Sequence, residues 1–199
     1  MVLFKILLVL FGIEMSGMIT GNCVIRTFET DINAIDEDGR TLLHNIIMNN
    51  DLDKFKGIIS DPRLDVNIPD ANGYMPLHWA AEIGNDFIVS KLIQAGANVD
   101  PINKYGDTPL HKAVVFDHTS TAVILINAEA NVQRADNEGN TALHFASYQG
   151  NAVLVKFLLE KGANPLAINR EGKTPLDFAE AKSHKTVVKM LQQKSIHKW

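Results

Sequence analysis

The hexapeptide Thr108-Pro109-Leu110-His111-Lys112-Ala113 reads as the opening of a helix. A threonine hydroxyl can accept a hydrogen bond from a helix N-terminal amide. A proline at the first helical position lacks an N–H that would have had no partner there. Leu110 then begins a buried face. Variants of the segment recur as Thr41-Leu42-Leu43-His44, Met75-Pro76-Leu77-His78, Thr141-Ala142-Leu143-His144 and Thr174-Pro175-Leu176-Asp177. Five residues ahead of each His or Asp stands a glycine: Gly39, Gly73, Gly106, Gly139 and Gly172.

Other columns keep the same register. Ala80, Ala113, Ala146 and Ala179 form a small-residue column that lets neighbouring helices approach closely. Gly84-Asn85 and Gly150-Asn151 fit a turn between two helices that needs positive φ. Asn50 and Asp117 stand in for the glycine as tolerable substitutes, and Ser183 as a poorer one. Ala97-Asn98-Val99, Ala130-Asn131-Val132 and Ala163-Asn164-Pro165 mark the exit from each second helix. Asp36 to Gly39, Asp70 to Gly73, Asn103 to Gly106, Asp136 to Gly139 and Asn169 to Gly172 carry Asp or Asn first and Gly fourth, the pattern of a common β-turn. Apolar clusters such as Phe157, Leu158 and Leu159 cannot be hidden within one unit. Stacking of units buries them as one continuous core.

The T-P-L-H-x-A signature on a 33-residue period resembles the ankyrin repeat, over roughly residues 31–199. The resemblance implies an all-α repeat solenoid, elongated and slightly curved, built of helix-turn-helix units with β-hairpin tips. It also implies protein recognition as the usual activity. The expected division is residues 31–69, 70–102, 103–135, 136–168 and 169–199 as five repeats, the last a polar C-terminal cap. Residues 1–30 form an apolar N-terminal segment ahead of them.

Departures carry information. Met75 replaces the capping threonine, so that helix start is expected to be weaker by about 1 kcal/mol. Glu129 stands where Gly96 and Gly162 close their helices, a left-handed position that costs a side chain roughly 1 kcal/mol. Ile46 fills the alanine column in the first repeat, and Asp177 replaces the histidine in the last.

Residues 2–13 are apolar apart from Lys5, and three readings compete for them. One is a degenerate leading repeat or hydrophobic helix that caps the first repeat. Another is a secretory signal, against which Glu14 and the lack of an A-x-A-like site count. A spanning helix would need about 20 apolar residues, and Lys5 and Glu14 interrupt this run.

Net charge is −4, so nucleic acid is not an expected partner. One cysteine, Cys23, excludes an internal disulfide scaffold. No G-x-S-x-G, phosphate-loop or H-E-x-x-H motif occurs, so no catalytic, cofactor-binding or metal-binding residue is assigned and the chain is not read as an enzyme. His44, His78, His111 and His144 recur at one position. Helices in contact lie about 8–10 Å apart, too far for two of these rings to share a metal at bonds of about 2 Å. Each imidazole is expected instead to link its own turn to the adjacent hairpin.

In ankyrin proteins the partner usually meets the concave face of tips and first helices. Here that face carries Tyr74, Trp79, Ile83, Tyr105, Lys112, Phe116, Phe145 and Tyr148 as the expected contact residues for another protein. Phe145 and Phe178 are the rings most expected to turn inward. The chain is expected to be a monomer and cytoplasmic. A secreted or membrane-tethered binder using the N-terminal segment is the alternative, and an enzyme with a cryptic site a distant one.

Overall fold

The computed structural model describes residues 13–16, 24–27 and 31–196. Ten helices form five antiparallel pairs among the described residues. The first members are α1 (Leu42–Met48), α3 (Pro76–Ile83), α5 (Pro109–Val115), α7 (Ala142–Gln149) and α9 (Pro175–Ala181). The second members are α2 (Leu52–Ile58), α4 (Asp86–Gln94), α6 (Thr119–Asn127), α8 (Ala152–Glu160) and α10 (Lys185–Ile196). Each first helix packs on the next first helix, and α4, α6, α8 and α10 pack in the same order. The five signature segments therefore lie side by side, as the repeat reading requires.

Helix starts follow the sequence. Thr41, Thr108 and Thr174 are N-caps whose hydroxyls accept from the backbone N–H three residues on. Asp51, Asn85 and Asn151 cap α2, α4 and α8 in the same way, at 3.1, 3.1 and 3.0 Å. Met75 makes no side-chain cap hydrogen bond. Met75→Thr is therefore expected to raise unfolding free energy by about 1 kcal/mol, read by denaturant titration. An unchanged midpoint would show that the His78 ring alone satisfies that helix end.

The core is a set of columns. Leu43, Leu77, Leu110 and Leu143 are buried in successive first helices, with Ala80, Ala113, Ala146 and Ala179 behind them. Phe55, Leu92, Leu125, Leu158 and Leu191 line the second helices. Burying each such large side chain contributes roughly 1.5–3 kcal/mol. The small alanines allow the helices to approach, and Ile46 is accommodated in the first unit while staying buried.

The tips are tight turns rather than extended hairpins. Single antiparallel bridges, Ile35 with Thr41 and Ala135 with Thr141, are their strand-like pairings among the described residues. Each turn is closed by its first Asp or Asn. Asp70 Oδ1 accepts from Asn72 N and Tyr74 N at 2.8 and 2.9 Å, and Asp36, Asn103, Asp136 and Asn169 repeat the pattern. One short side chain thus shapes the loop, and glycine at the fourth place takes positive φ. Successive tips are joined by backbone bonds: Ala71 N to Asp38 O, Lys104 N to Asn72 O, Asn137 N to Tyr105 O and Arg170 N to Glu138 O.

The turns inside the helix pairs alternate. His118 and His184, in the third and fifth units, lie on Gly84 and Gly150 of the unit before. Their Nε2–H groups donate to Glu82 O at 3.0 Å and Tyr148 O at 2.9 Å. In the intervening pairs, Asn85 Nδ2 donates to Asn50 Oδ1 at 2.7 Å and Asn151 Nδ2 to Asp117 Oδ1 at 2.8 Å. Asn50, Asp117 and Ser183 adopt the positive φ anticipated for them, as does Glu129.

Ahead of the helices, strand β1 (Ile13–Ser16) pairs antiparallel with β2 (Val24–Thr27). Over these eight residues the chain is a strand pair, not a helix. The apolar run 2–12, on which the cap and signal readings rest, lies outside the described residues, as does Cys23. Among the described residues no helix is long and apolar enough to cross a membrane.

Candidate binding face

The histidine column is structural. His44, His111 and His144 accept the backbone N–H of Thr41, Thr108 and Thr141 at Nδ1, at 3.0–3.1 Å, and His78 accepts that of Met75 at 3.0 Å. The backbone N–H can only donate, so each ring is neutral with its proton on Nε2. That proton goes to the next tip: His44 to Tyr74 O at 3.1 Å, His78 to Asp107 O at 3.0 Å and His144 to Lys173 O at 3.2 Å. His111 makes the first contact without a partner for Nε2 among the described residues. Burial pushes all four imidazoles below the ordinary histidine range, His78 to about 4. Asp177 keeps the acceptor half of the role: its carboxylate accepts from Thr174 N at 2.7 Å and from the hydroxyl at 2.6 Å. Those hydrogen bonds hold its carboxyl below the usual value. Among the described residues there is no group of three His, Cys, Asp or Glu placed to hold a metal.

The eight expected contact residues divide in two. Tyr105, Phe116 and Tyr148 are 52, 47 and 45 % exposed. Tyr74, Trp79, Ile83, Lys112 and Phe145 are half-buried, with Trp79, Ile83 and Phe145 packed on the core. Trp79 is tied into the structure. Its Nε1–H donates to Asp70 Oδ2 at 3.3 Å, its ring lies 5.0 Å from Tyr74, and Arg40 covers it at 5.8 Å. Lys112 is engaged internally as well. Its ammonium pairs with Glu82 at 2.9 Å and donates to the Tyr74 hydroxyl at 3.2 Å, between the rings of Tyr74 and Phe116. Burial alone would lower its pKa, but the bonds to Glu82 and Tyr74 outweigh it and raise the value. Its side chain is 12 % exposed. Trp79 and Lys112 thus brace the face more than they present themselves.

The open apolar surface lies further along the stack. Val115, Phe145, Tyr148, Gln149 and Phe178 line a cleft of about 300 Å³ between α5, α7 and α9. Phe145 meets the His111 ring edge-on at 6.0 Å, and Phe178 does the same with His144 at 5.5 Å and Tyr148 at 6.2 Å. The inward turn expected of Phe145 and Phe178 is therefore partial: they form the cleft floor. Gln149 reaches across to Val115 O at 2.8 Å. Lys182 sits over the Tyr148 ring at 4.4 Å. Sequence reasoning left Lys182 out of the face. The signal was its place in the column of Phe116 and Gln149, five residues past the His or Asp of its unit.

Comparison with known proteins agrees with this architecture. A family model described as ankyrin repeats (3 copies) matches residues 14–100 and 43–136, and one described as ankyrin repeats (many copies) matches 125–179. The SMC5-SMC6 complex localization factor protein 1 of Homo sapiens is 32 % identical over 79 residues, 40 % of this chain and 8 % of that protein. Rabankyrin-5 of Mus musculus is 33 % identical over 75 residues, 37 % of this chain and 6 % of its own length. Alpha-latrotoxin-Lg1a of Latrodectus geometricus is 37 % identical over 71 residues, 35 % of this chain and 5 % of the toxin. The chain thus matches less than a tenth of the length of these relatives. With the stacked helix pairs, the capped signature segments and the family matches over most of its length, the chain belongs to the ankyrin repeat family.

Proposed function

We propose that this protein binds another protein on the concave face of its stack, with the cleft between α5, α7 and α9 as the main anchor point. The family and the ankyrin-containing relatives support a protein-interaction module. The observation that carries the finer reading is the cleft itself. The rings of Phe145, Tyr148 and Phe178 line an apolar cleft, with Phe145 packed against the core and Tyr148 about half exposed at its edge. Large aromatic side chains in such positions dominate interface energies. A contiguous exposed apolar patch is unusual on a protein surface that meets only water. Trp79, Tyr74 and Lys112 hold the neighbouring part of the face in place, which lowers the ordering cost of association.

The test is the double substitution Phe116→Ala with Tyr148→Ala: Tyr148 lines the cleft, and Phe116 is the exposed ring that follows Val115 of its lining. Both rings are about half exposed, so the melting temperature is expected to fall by no more than a few degrees. Recovery of the native partner in pull-down from the source cell is expected to be lost. A variant that melts normally and still recovers the same partner would remove the cleft from the reading.

A further inference from the structure

The second tip differs from the others in its chemistry. Asn72-Gly73 is the one place in the sequence where glycine follows asparagine. The pair fills the last two places of the turn that begins at Asp70, and Asn72 is exposed to water. The places matching Asn72 in the other tips hold Asp38, Tyr105, Glu138 and Glu171. The Lys104 ammonium donates to Asn72 Oδ1 and lies 5.0 Å over the Tyr105 ring. An ammonium can only donate, so the oxygen of the amide is the atom that faces it. The amide nitrogen, Nδ2, has no hydrogen-bond partner among the described residues.

We propose that Asn72 is a site of spontaneous deamidation, in which Gly73 N is the nucleophile and Lys104 assists. The Gly73 amide gives its proton to hydroxide from the solvent, and its nitrogen attacks Asn72 Cγ. A new N–C bond closes a five-membered imide, the Cγ–Nδ2 bond breaks, and the nitrogen leaves as ammonia. Water then opens the ring at one of its two carbonyls. The sum is one amide and one water giving a carboxylate and an ammonium ion, with nothing oxidised or reduced. Glycine permits this because no β-carbon hinders its nitrogen. Gly73 N must first release Asp70 O, which it meets at 2.9 Å. Exposed loop bonds of this kind open at low free energy. The ammonium at Oδ1 draws electrons from Cγ and stabilises the oxyanion that forms there on attack. Opening at the side-chain carbonyl leaves a carboxylate facing Lys104. Opening at the backbone carbonyl sends the chain through the β-carbon of residue 72, one atom longer. The oxygen that accepts from Lys104 N at 3.0 Å then belongs to a carboxylate outside the main chain. That product loosens the joint between the second and third tips. None of this depends on what the groove binds.

The experiment incubates the full chain in mildly alkaline buffer, beside Lys104→Met and Asn72→Ser, and follows intact mass and peptide maps. Circular dichroism melts confirm that all three are folded. The parent is expected to gain about one dalton per chain at Asn72, with the isoaspartyl fraction read by enzymatic methylation. Asn137 is exposed but followed by Glu138, whose β-carbon stands beside the attacking nitrogen, so it is expected to react at least about tenfold more slowly. Lys104→Met is expected to slow the reaction at Asn72 about two- to fivefold, the range open to an exposed charge. Asn72→Ser is expected to show no gain at that tip. An Asn72 amide that lasts as long as that of Asn137 overturns the site. An unchanged rate in Lys104→Met overturns the part given to the ammonium and leaves the pair labile through glycine alone.

Discussion

Gly84→Ala is expected to lower unfolding free energy by about 2–3 kcal/mol, and Gly150→Ala by as much. Two costs add. Both glycines have φ of +75°, where a β-carbon costs roughly 1 kcal/mol or more. The new β-carbon would also enter the space of the imidazole lying on the turn, 2.5 Å from His184 Nδ1 in the case of Gly150. The ring must move and give up its bond to the preceding carbonyl, about another 1 kcal/mol. For a chain of this length the sum corresponds to about 5–10 °C in Tm. Gly96→Ala is the control. Its φ is +87° but nothing lies within 4 Å of the added atom, so it should cost only about 1 kcal/mol. A double-mutant cycle of Gly84→Ala with His118→Ala should show a coupling energy above about 1 kcal/mol. If Gly84→Ala and Gly96→Ala proved equally costly, the imidazole contact would carry no energy.

Stability is expected to fall steeply as pH drops from about 6.5 to 4. The four column histidines have folded pKa values below the unfolded value of about 6.5. In this window the unfolded chain binds more protons than the folded one, so unfolding free energy rises with pH and is lost on acidification. For His78, at about 4 in the fold and fully buried, the loss by pH 4 is on the order of 3 kcal/mol. His44, His111 and His144 add losses of the same sign. The geometry explains the direction: Nδ1 faces a backbone N–H, so a second ring proton would set two donors against each other. A later window belongs to Asp36, Asp51 and Asp177, whose depressed values withdraw stability only below about pH 3.8. Urea titrations across pH 4–7 check this. His78→Asn should flatten part of the slope, whereas a stability constant from pH 7 to 4.5 would mean that the rings carry no linkage.

The repeat was legible in the sequence because its strongest constraints are local. Thr108 must cap, Pro109 suits the first helical place, and Asp70 with Gly73 fixes a turn; each is a short-range requirement that residue identity reveals. The positive φ of Asn50, Asp117, Ser183 and Glu129 followed from alignment with glycine for the same reason. The candidate face was less legible. Side chains at groove positions can point outward or fold onto neighbours one repeat away, and spacing does not say which. Trp79 and Lys112 found partners in Asp70, Glu82 and Tyr74, contacts that depend on how adjacent units are offset. The open cleft consequently lies nearer the C-terminal end than the aromatic count suggested. The tips were foreseen as hairpins, and the Asp and Asn side chains instead tighten them into single turns.

The alternation of imidazole-on-glycine with amide-on-carbonyl contacts gives the stack a hidden grammar of two. Excising the third repeat alone would bring Asn151 opposite Gly84, which has no side chain to receive it. Excising the third and fourth together would lay His184 on Gly84, a match the molecule already uses. Recombination within such an array is therefore tolerated best in pairs, and a lineage that gains or loses segments this way would keep an even increment.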